Sequence, residues 1–315
     1  MSSSKNALFS RLLCRIRARI LMYISYTPAL CAGSSCTHKK ITIFRNTQYL
    51  IPFFVLLIWL VLALMAPWLP LHPDQIALEK ILLAPDWQQW LGYDDLGRSI
   101  AARLIMGART SLSVAIIVVS ISFFVGTLLG MMGAWLGGLW DKCLIMIIDL
   151  FIAFPGILLA IALAGLLGPG LMNAVIALSI VSWVGFARLA RVQTLSMKHR
   201  DHVDAARALG TSDKIIAIKH ILPLIMAPLI IEATFGLAGV VIAEAGLSFL
   251  GLGVQPPVAS WGSMIRDGTG YMLVAPHMVL APGFAILSLV LCINLLGDYL
   301  RDKMDIKDKT VLNKV

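Results

Sequence analysis

Three stretches of this chain, residues 110–140, 150–187 and 268–297, contain no Asp, Glu, Lys or Arg at all. A helix needs roughly 20 consecutive apolar residues to cross a bilayer, so each stretch is long enough for one span or more. Soluble core helices rarely run free of charge for more than a few turns. The whole chain follows the same rule. Charged residues are 14% and hydrophobic residues 59%, where a soluble domain carries about 25% charged residues. The fold class this implies is an all-α integral membrane protein.

Breakers and charges divide the apolar runs into six expected transmembrane helices. The first covers about 49–69, ahead of the cluster Pro67, Pro70 and Pro73. A polar stretch follows to Arg109. The second runs from near Leu112 to Gly137-Gly138, and the third from near Cys143 to Gly168-Pro169-Gly170, which no helix crosses intact. The fourth covers about 171–190, the fifth 224–250 and the sixth about 274–296. Gly126, Gly130, Gly133 and Gly137 fall on one face of the second and predict close approach of another helix.

Lys and Arg mark the sides. With the N-terminus in the cytoplasm, 21 of the 26 Lys/Arg fall on the inner side and 5 on the outer. The positive-inside rule then gives an N-in, C-in orientation. The net charge of +9 is accounted for by this anchoring, and no basic surface with aromatic platforms suggests nucleic-acid binding. Residues 1–47, where Arg11, Arg15, Arg17 and Arg19 alternate with apolar residues, read as a basic cytoplasmic tail lying on anionic membrane lipid. The five cysteines show no paired spacing and suggest neither a disulfide framework nor a metal site.

The charged loop between the fourth and fifth spans carries the most information. It reads Asp204-Ala205-Ala206-Arg207-Ala208-Leu209-Gly210, then nine residues, then His220-Ile221-Leu222-Pro223. The composition of 200–209 favours a helix, Gly210 supplies its C-terminal cap, and Thr211, Ser212 or Asp213 can start the next. The expected form is a short helix, a glycine elbow and a second short helix over about 214–220, with Pro223 opening the fifth span. The small side chains at 205, 206 and 208 leave one face of the first helix low, suited to a groove on a soluble partner.

This loop resembles the EAA motif of ABC importer permeases, E-A-A-x3-G-x9-I-x-L-P, with Asp204 in the Glu position and His220 where Ile is common. Further segments are similar to the dipeptide/oligopeptide/nickel permeases. They include Leu91-Gly92-Tyr93-Asp94-Asp95-Leu96-Gly97-Arg98, Gly107-Ala108-Arg109-Thr110-Ser111-Leu112, Ala153-Phe154-Pro155, Ala243-Glu244-Ala245-Gly246-Leu247-Ser248 and Asn294-Leu295-Leu296-Gly297-Asp298. Ser99 departs from the Asp common there. The resemblance covers about residues 50–305.

It implies the type I ABC importer permease fold in a bacterial inner membrane. Residues 48–108 would form a first helix with a periplasmic loop, 109–298 the permease core with its EAA loop at 204–223, and 299–315 a cytoplasmic tail. Asp204, Ala205, Ala206, Gly210, Leu222 and Pro223 would couple the chain to one or two separate ABC ATPases. A homologous second permease would form the other half of the pathway, and a substrate-binding protein would deliver di- or oligopeptides, or nickel. No cofactor is expected in this chain. Its one P-loop-like segment, Gly92-Tyr93-Asp94-Asp95-Leu96-Gly97-Arg98-Ser99, has Arg for Lys and two aspartates that would repel phosphate. ATP and Mg would belong to the partner, and the chain would be no enzyme itself.

Asp149, Glu232 and Glu244 are the acids within the expected spans, and ionisable groups there are functional suspects. Asp149, near the cytoplasmic face, reads as structural. Glu232 and Glu244 are candidates for the pathway or its gate. An ion-coupled secondary transporter or channel subunit is the alternative, but no cluster of acids or inverted repeat is evident for it.

Overall fold

The computed structural model describes residues 38–312, Gln88 apart, with side chains described for residues 49–304. What was expected of residues 1–37 lies outside the described residues. Among the described residues every extended element is a helix, with two isolated bridges, Asp86 to Gln89 and Tyr93 to Ser99. The helices are α1 His38–Met65, α2 Ile100–Leu136, α3 Gly138–Ile152, α4 Gly156–Leu167, α5 Leu171–Met197, α6 Asp201–Ala208, α7 Asp213–Phe249, α8 Trp261–Thr269 and α9 His277–Leu312.

Four of them, α2, α5, α7 and α9, are long and apolar enough to cross a membrane, and α3 with α4 makes a fifth if that bent pair is one span. Within α1 the apolar part is shorter, Tyr49–Met65. Many outward side chains are apolar, among them Phe124, Leu166 and Phe284. Lipid or a partner helix can cover such a surface and water cannot.

Close backbone contact organises the core. A Cβ on Gly126 would stand 2.5 Å from the Trp183 carbonyl oxygen, and one on Gly130 2.2 Å from that of Ala187. The glycine face predicted for the second span therefore packs α2 directly against α5. At Gly133 the neighbour is instead the end of the Leu144 side chain of α3. On the far side, Trp261 of α8 is fully buried and its indole N–H donates to the Leu104 carbonyl of α2 at 3.0 Å. A capping box between Ser260 and Ser263 starts α8, and a Cβ on Gly262 would lie 2.3 Å from the Ala245 carbonyl oxygen of α7. Trp59 ties α1 into this group, edge-on to Trp261 and bonded through its indole N–H to Ser288 of α9.

The expected boundaries need four corrections. Helix α2 starts at Ile100, about three turns before Leu112, because Ser99 caps it and neighbouring carboxylates neutralise Arg103. The third expected span is two helices bent by 88° at Ala153-Phe154-Pro155. Proline has no N–H to donate and disfavours helical geometry in the residue before it. The separate helix expected over 214–220 is the start of α7. Residues Ile216–Ile221 widen into a π turn, and the Leu222 N–H reaches back five residues to the Ala217 carbonyl. The wider turn lets the helix run through Pro223, which cannot donate. Finally, α9 begins at His277 and continues to Leu312, through most of the segment read as a C-terminal tail.

Candidate functional site: the 198–223 loop and the carboxylates of α7

The first helix of the loop and its glycine elbow form as expected from Gly210 as a C-terminal cap. Helix α6 ends in a Schellman turn: the Gly210 N–H donates to the Arg207 carbonyl at 2.9 Å and the Thr211 N–H to the Ala206 carbonyl at 3.1 Å. Gly210 has φ +79°, the left-handed geometry glycine adopts without strain. The small residues of α6 divide between two faces. Ala206 and Val203 are buried against the chain's own core, while Asp204, Ala205 and Ala208 face outward. The low face expected of 205, 206 and 208 together is thus supplied by 205 and 208. Leu209, at the tip of the elbow, is 86% exposed. Leu222 is half-buried and Pro223 exposed where α7 rises from the loop.

Charges fix the loop to the helix ends above it. Arg207 contacts Asp204 at 3.1 Å and Asp213 at 3.9 Å, so one guanidinium spans both arms of the elbow. Its other neighbour is the Trp135 ring at the end of α2. Arg191 of α5 grips Asp141 of α3 in a two-pronged pair at 2.5 and 2.7 Å. Neither the Arg207–Trp135 contact nor the Arg191–Asp141 pair was foreseen, since each joins residues at least 50 positions apart.

The two carboxylates of α7 sit in different settings. Glu244 is fully buried and accepts hydrogen bonds from Ser111 of α2 at 2.8 Å and Ser248 at 2.7 Å. Glu232 lines a cavity of about 190 Å³ with Val119, Ser182, Phe186, Gly236 and Gly239. Among the described residues no hydrogen bond or ion pair reaches it. Asp149 is exposed on α3. The segment resembling a P-loop is an aspartate-centred turn. Asp94 accepts from the Leu96 and Arg98 N–H groups and pairs with Arg98 at 2.7 Å and Arg103 at 3.6 Å. Ser99 caps α2 and donates to Gln89. The Asx-turn habit of aspartate was the one sequence signal for this arrangement.

Residues 126–306, more than half of the chain, match the family described as binding-protein-dependent transport system inner membrane component. The chain belongs to that family. The permease is 41% identical over 259 residues to the glutathione transport system permease protein GsiD of Escherichia coli O6:K15:H31 (strain 536 / UPEC), an alignment covering 82% of this chain and 85% of the relative. GsiD of Shigella boydii serotype 4 (strain Sb227) matches to the same extent. Among solved structures, a chain of the MetNI methionine ABC transporter in an inward-facing conformation superposes with a TM-score of 0.53 at 20% identity, over 64% of this chain and 95% of that one. The fold is that of a type I ABC importer permease, and the chain is a multi-pass inner-membrane transport component.

Proposed function

We propose that the permease forms half of the translocation pathway for short peptides and is driven by a separate ATPase bound at the 204–223 loop. The observation that carries this reading is the loop's geometry. It is a charged elbow held rigid by a Schellman turn, and its apolar tip, Leu209, is left in the open. The reading takes the loop as cytoplasmic, with six spans and both termini inside, and is supported by the 21 of 26 Lys/Arg that fall on the inner side in that arrangement. The sixth span in that count is the shorter apolar helix Tyr49–Met65. A second permease would complete the pathway, and a binding protein would deliver substrate from outside.

The substrate class follows from the relatives. The GsiD proteins serve glutathione, a modified tripeptide, so peptide-like cargo is favoured over nickel. ATP and Mg would be held by the ATPase. When two ATPase subunits close on ATP, α6 would shift, and α7, continuous with the loop from Asp213, would shift with it. The continuous helix from Asp213 to Phe249 makes that link more direct than two separate helices would. Glu232, facing a cavity, would line the pathway. Glu244, closed between α2 and α7, would hold the gate region together.

Affinity purification of the tagged full chain from its native membrane tests the reading. An ATPase should accompany the wild type and be lost from Gly210→Pro, while the variant still inserts. Uptake of labelled glutathione or nickel by the same cells then separates the two cargo classes. Normal uptake with Gly210→Pro would sink the coupling role of the loop.

A further inference from the structure

We infer that Trp135 is the strut that carries movement of the 201–213 loop into α2, held there by two cations from different elements. The inference rests on the proposed ATPase coupling of the loop. Trp135 lies in the last turn of α2, just before the Gly137 cap. Lys198, which ends α5, sends its ammonium to the Ala134 carbonyl at 3.2 Å and the Trp135 carbonyl at 2.7 Å. These are among the acceptors a helix C-terminus leaves unpaired. The same ammonium is 5.5 Å from the Trp135 ring centroid. The Arg207 guanidinium of α6 is 5.4 Å from that ring. Both distances fall within the roughly 6 Å reach of a cation–π interaction.

Two like charges on one ring repel, and the carboxylates near Arg207 offset this. Asp204 holds it from the first arm of the elbow and Asp213 from the start of α7. Displacing either arm therefore moves Arg207, and Arg207 presses on the ring. What moves with the ring is α2, the helix locked to α5 through Gly126 and Gly130 and bonded to Glu244 of α7 through Ser111. A residue that only filled space here would need no cation on it. The paired cations give the loop a second route into the bundle, besides its continuity with α7.

The test uses the intact importer, copurified with its partner subunits and reconstituted. Spin labels at Leu128 of α2 and Leu287 of α9, both exposed, report the distance between those helices with and without ATP and vanadate. In the wild type the distance changes on trapping. Trp135→Leu should reduce the population that changes by about tenfold, a typical coupling strength, with ATP still hydrolysed. Trp135→Phe, which keeps an aromatic face, should restore most of the change. Lys198→Met, which keeps the ring and removes one cation, should weaken it even if Trp135→Leu fails to assemble. An unaltered distance change in both Trp135→Leu and Lys198→Met would overturn the inference, as would a Trp135→Phe variant no better than Trp135→Leu. A wild-type preparation that brings no active ATPase with it would instead overturn the proposed function, a separate result.

Discussion

Ser111 of α2 donates a 2.8 Å hydrogen bond to the carboxylate of Glu244 of α7, joining two fully buried residues 133 positions apart. The other carboxylate oxygen is served by Ser248 at 2.7 Å. In a site closed to water, a carboxylate that loses a donor has no replacement. Ser111→Ala should therefore lower stability by about 1–3 kcal/mol. Thermal unfolding of the detergent-purified permease reads this directly, and an unshifted midpoint would show that the bond contributes nothing.

The approach of α2 to α5 allows no side chain at two positions. Gly130→Ala would put a methyl group 2.2 Å from the Ala187 carbonyl oxygen, and Gly126→Ala one 2.5 Å from that of Trp183. Neither neighbour is a flexible side chain, so the helices must separate. Each substitution should cost about 1–3 kcal/mol and lower the yield of folded protein. Gly239→Ala, with open space around the added carbon, should be tolerated in the same expression assay.

This packing was legible in advance because glycine spacing on a helix is a local pattern with one physical meaning. The elbow at Gly210 was legible for the same reason. Where reading failed, the cause was non-local or lay in how a helix absorbs proline. Pro155 breaks its helix by 88°, whereas Pro223 sits inside α7 because the π turn before it rearranges the hydrogen bonds. Sequence alone does not separate those two outcomes. The early start of α2 was hidden because charges at Arg103 and Arg109 look like the end of a span. Only the fold brings Asp94 and Asp267 to Arg103. Trp135 carries no signal of its own, since its partners come from α5 and α6.

Gly210 isolates backbone geometry from packing. Its φ is +79° and an added Cβ would meet nothing within 4 Å. Gly210→Ala should then cost only the conformational strain, about 1 kcal/mol, and Gly210→Asn less, because asparagine visits this region more readily. A β-branched Gly210→Val should cost more than either. Recovery of the copurifying ATPase should follow the order Gly, Asn, Ala, Val. Equal recovery from all four would mean that the elbow's shape is not what the partner reads.

Asp95 gives the loop before α2 a pH dependence. Burial, then the adjacent charge of Asp94, raise its carboxyl above the ordinary range, and Arg98 offsets part of this. A raised acid binds its proton more tightly in the folded state than in the unfolded one. The contribution of Asp95 to stability is therefore greatest below the ordinary carboxylate value of about 4 and is lost as pH rises through the raised value. Asp95→Asn should remove that loss. Unfolding midpoints measured across the acidic range should show the wild type losing stability relative to Asp95→Asn as pH rises, and parallel profiles would show that Asp95 contributes no pH dependence.

Glu232 separates a pathway role from a structural one. Its carboxylate faces the cavity beside Phe186 and Gly236, and among the described residues it has no hydrogen bond or ion pair to lose. Ionisable groups in a spanning helix are costly to keep, and here the described residues offer no bond that would repay the cost. Glu232→Gln keeps the shape and removes the charge. Its unfolding midpoint should match the wild type within the roughly 0.5 kcal/mol typical of a substitution that breaks no contact. The proposed pathway role then requires that substrate uptake fall in this variant. Ser111→Ala should show the reverse, a lower midpoint with any loss of uptake following from it. A Glu232→Gln permease with full uptake would take this residue out of the pathway, and one with a lowered midpoint would make it a structural partner of a helix outside this chain.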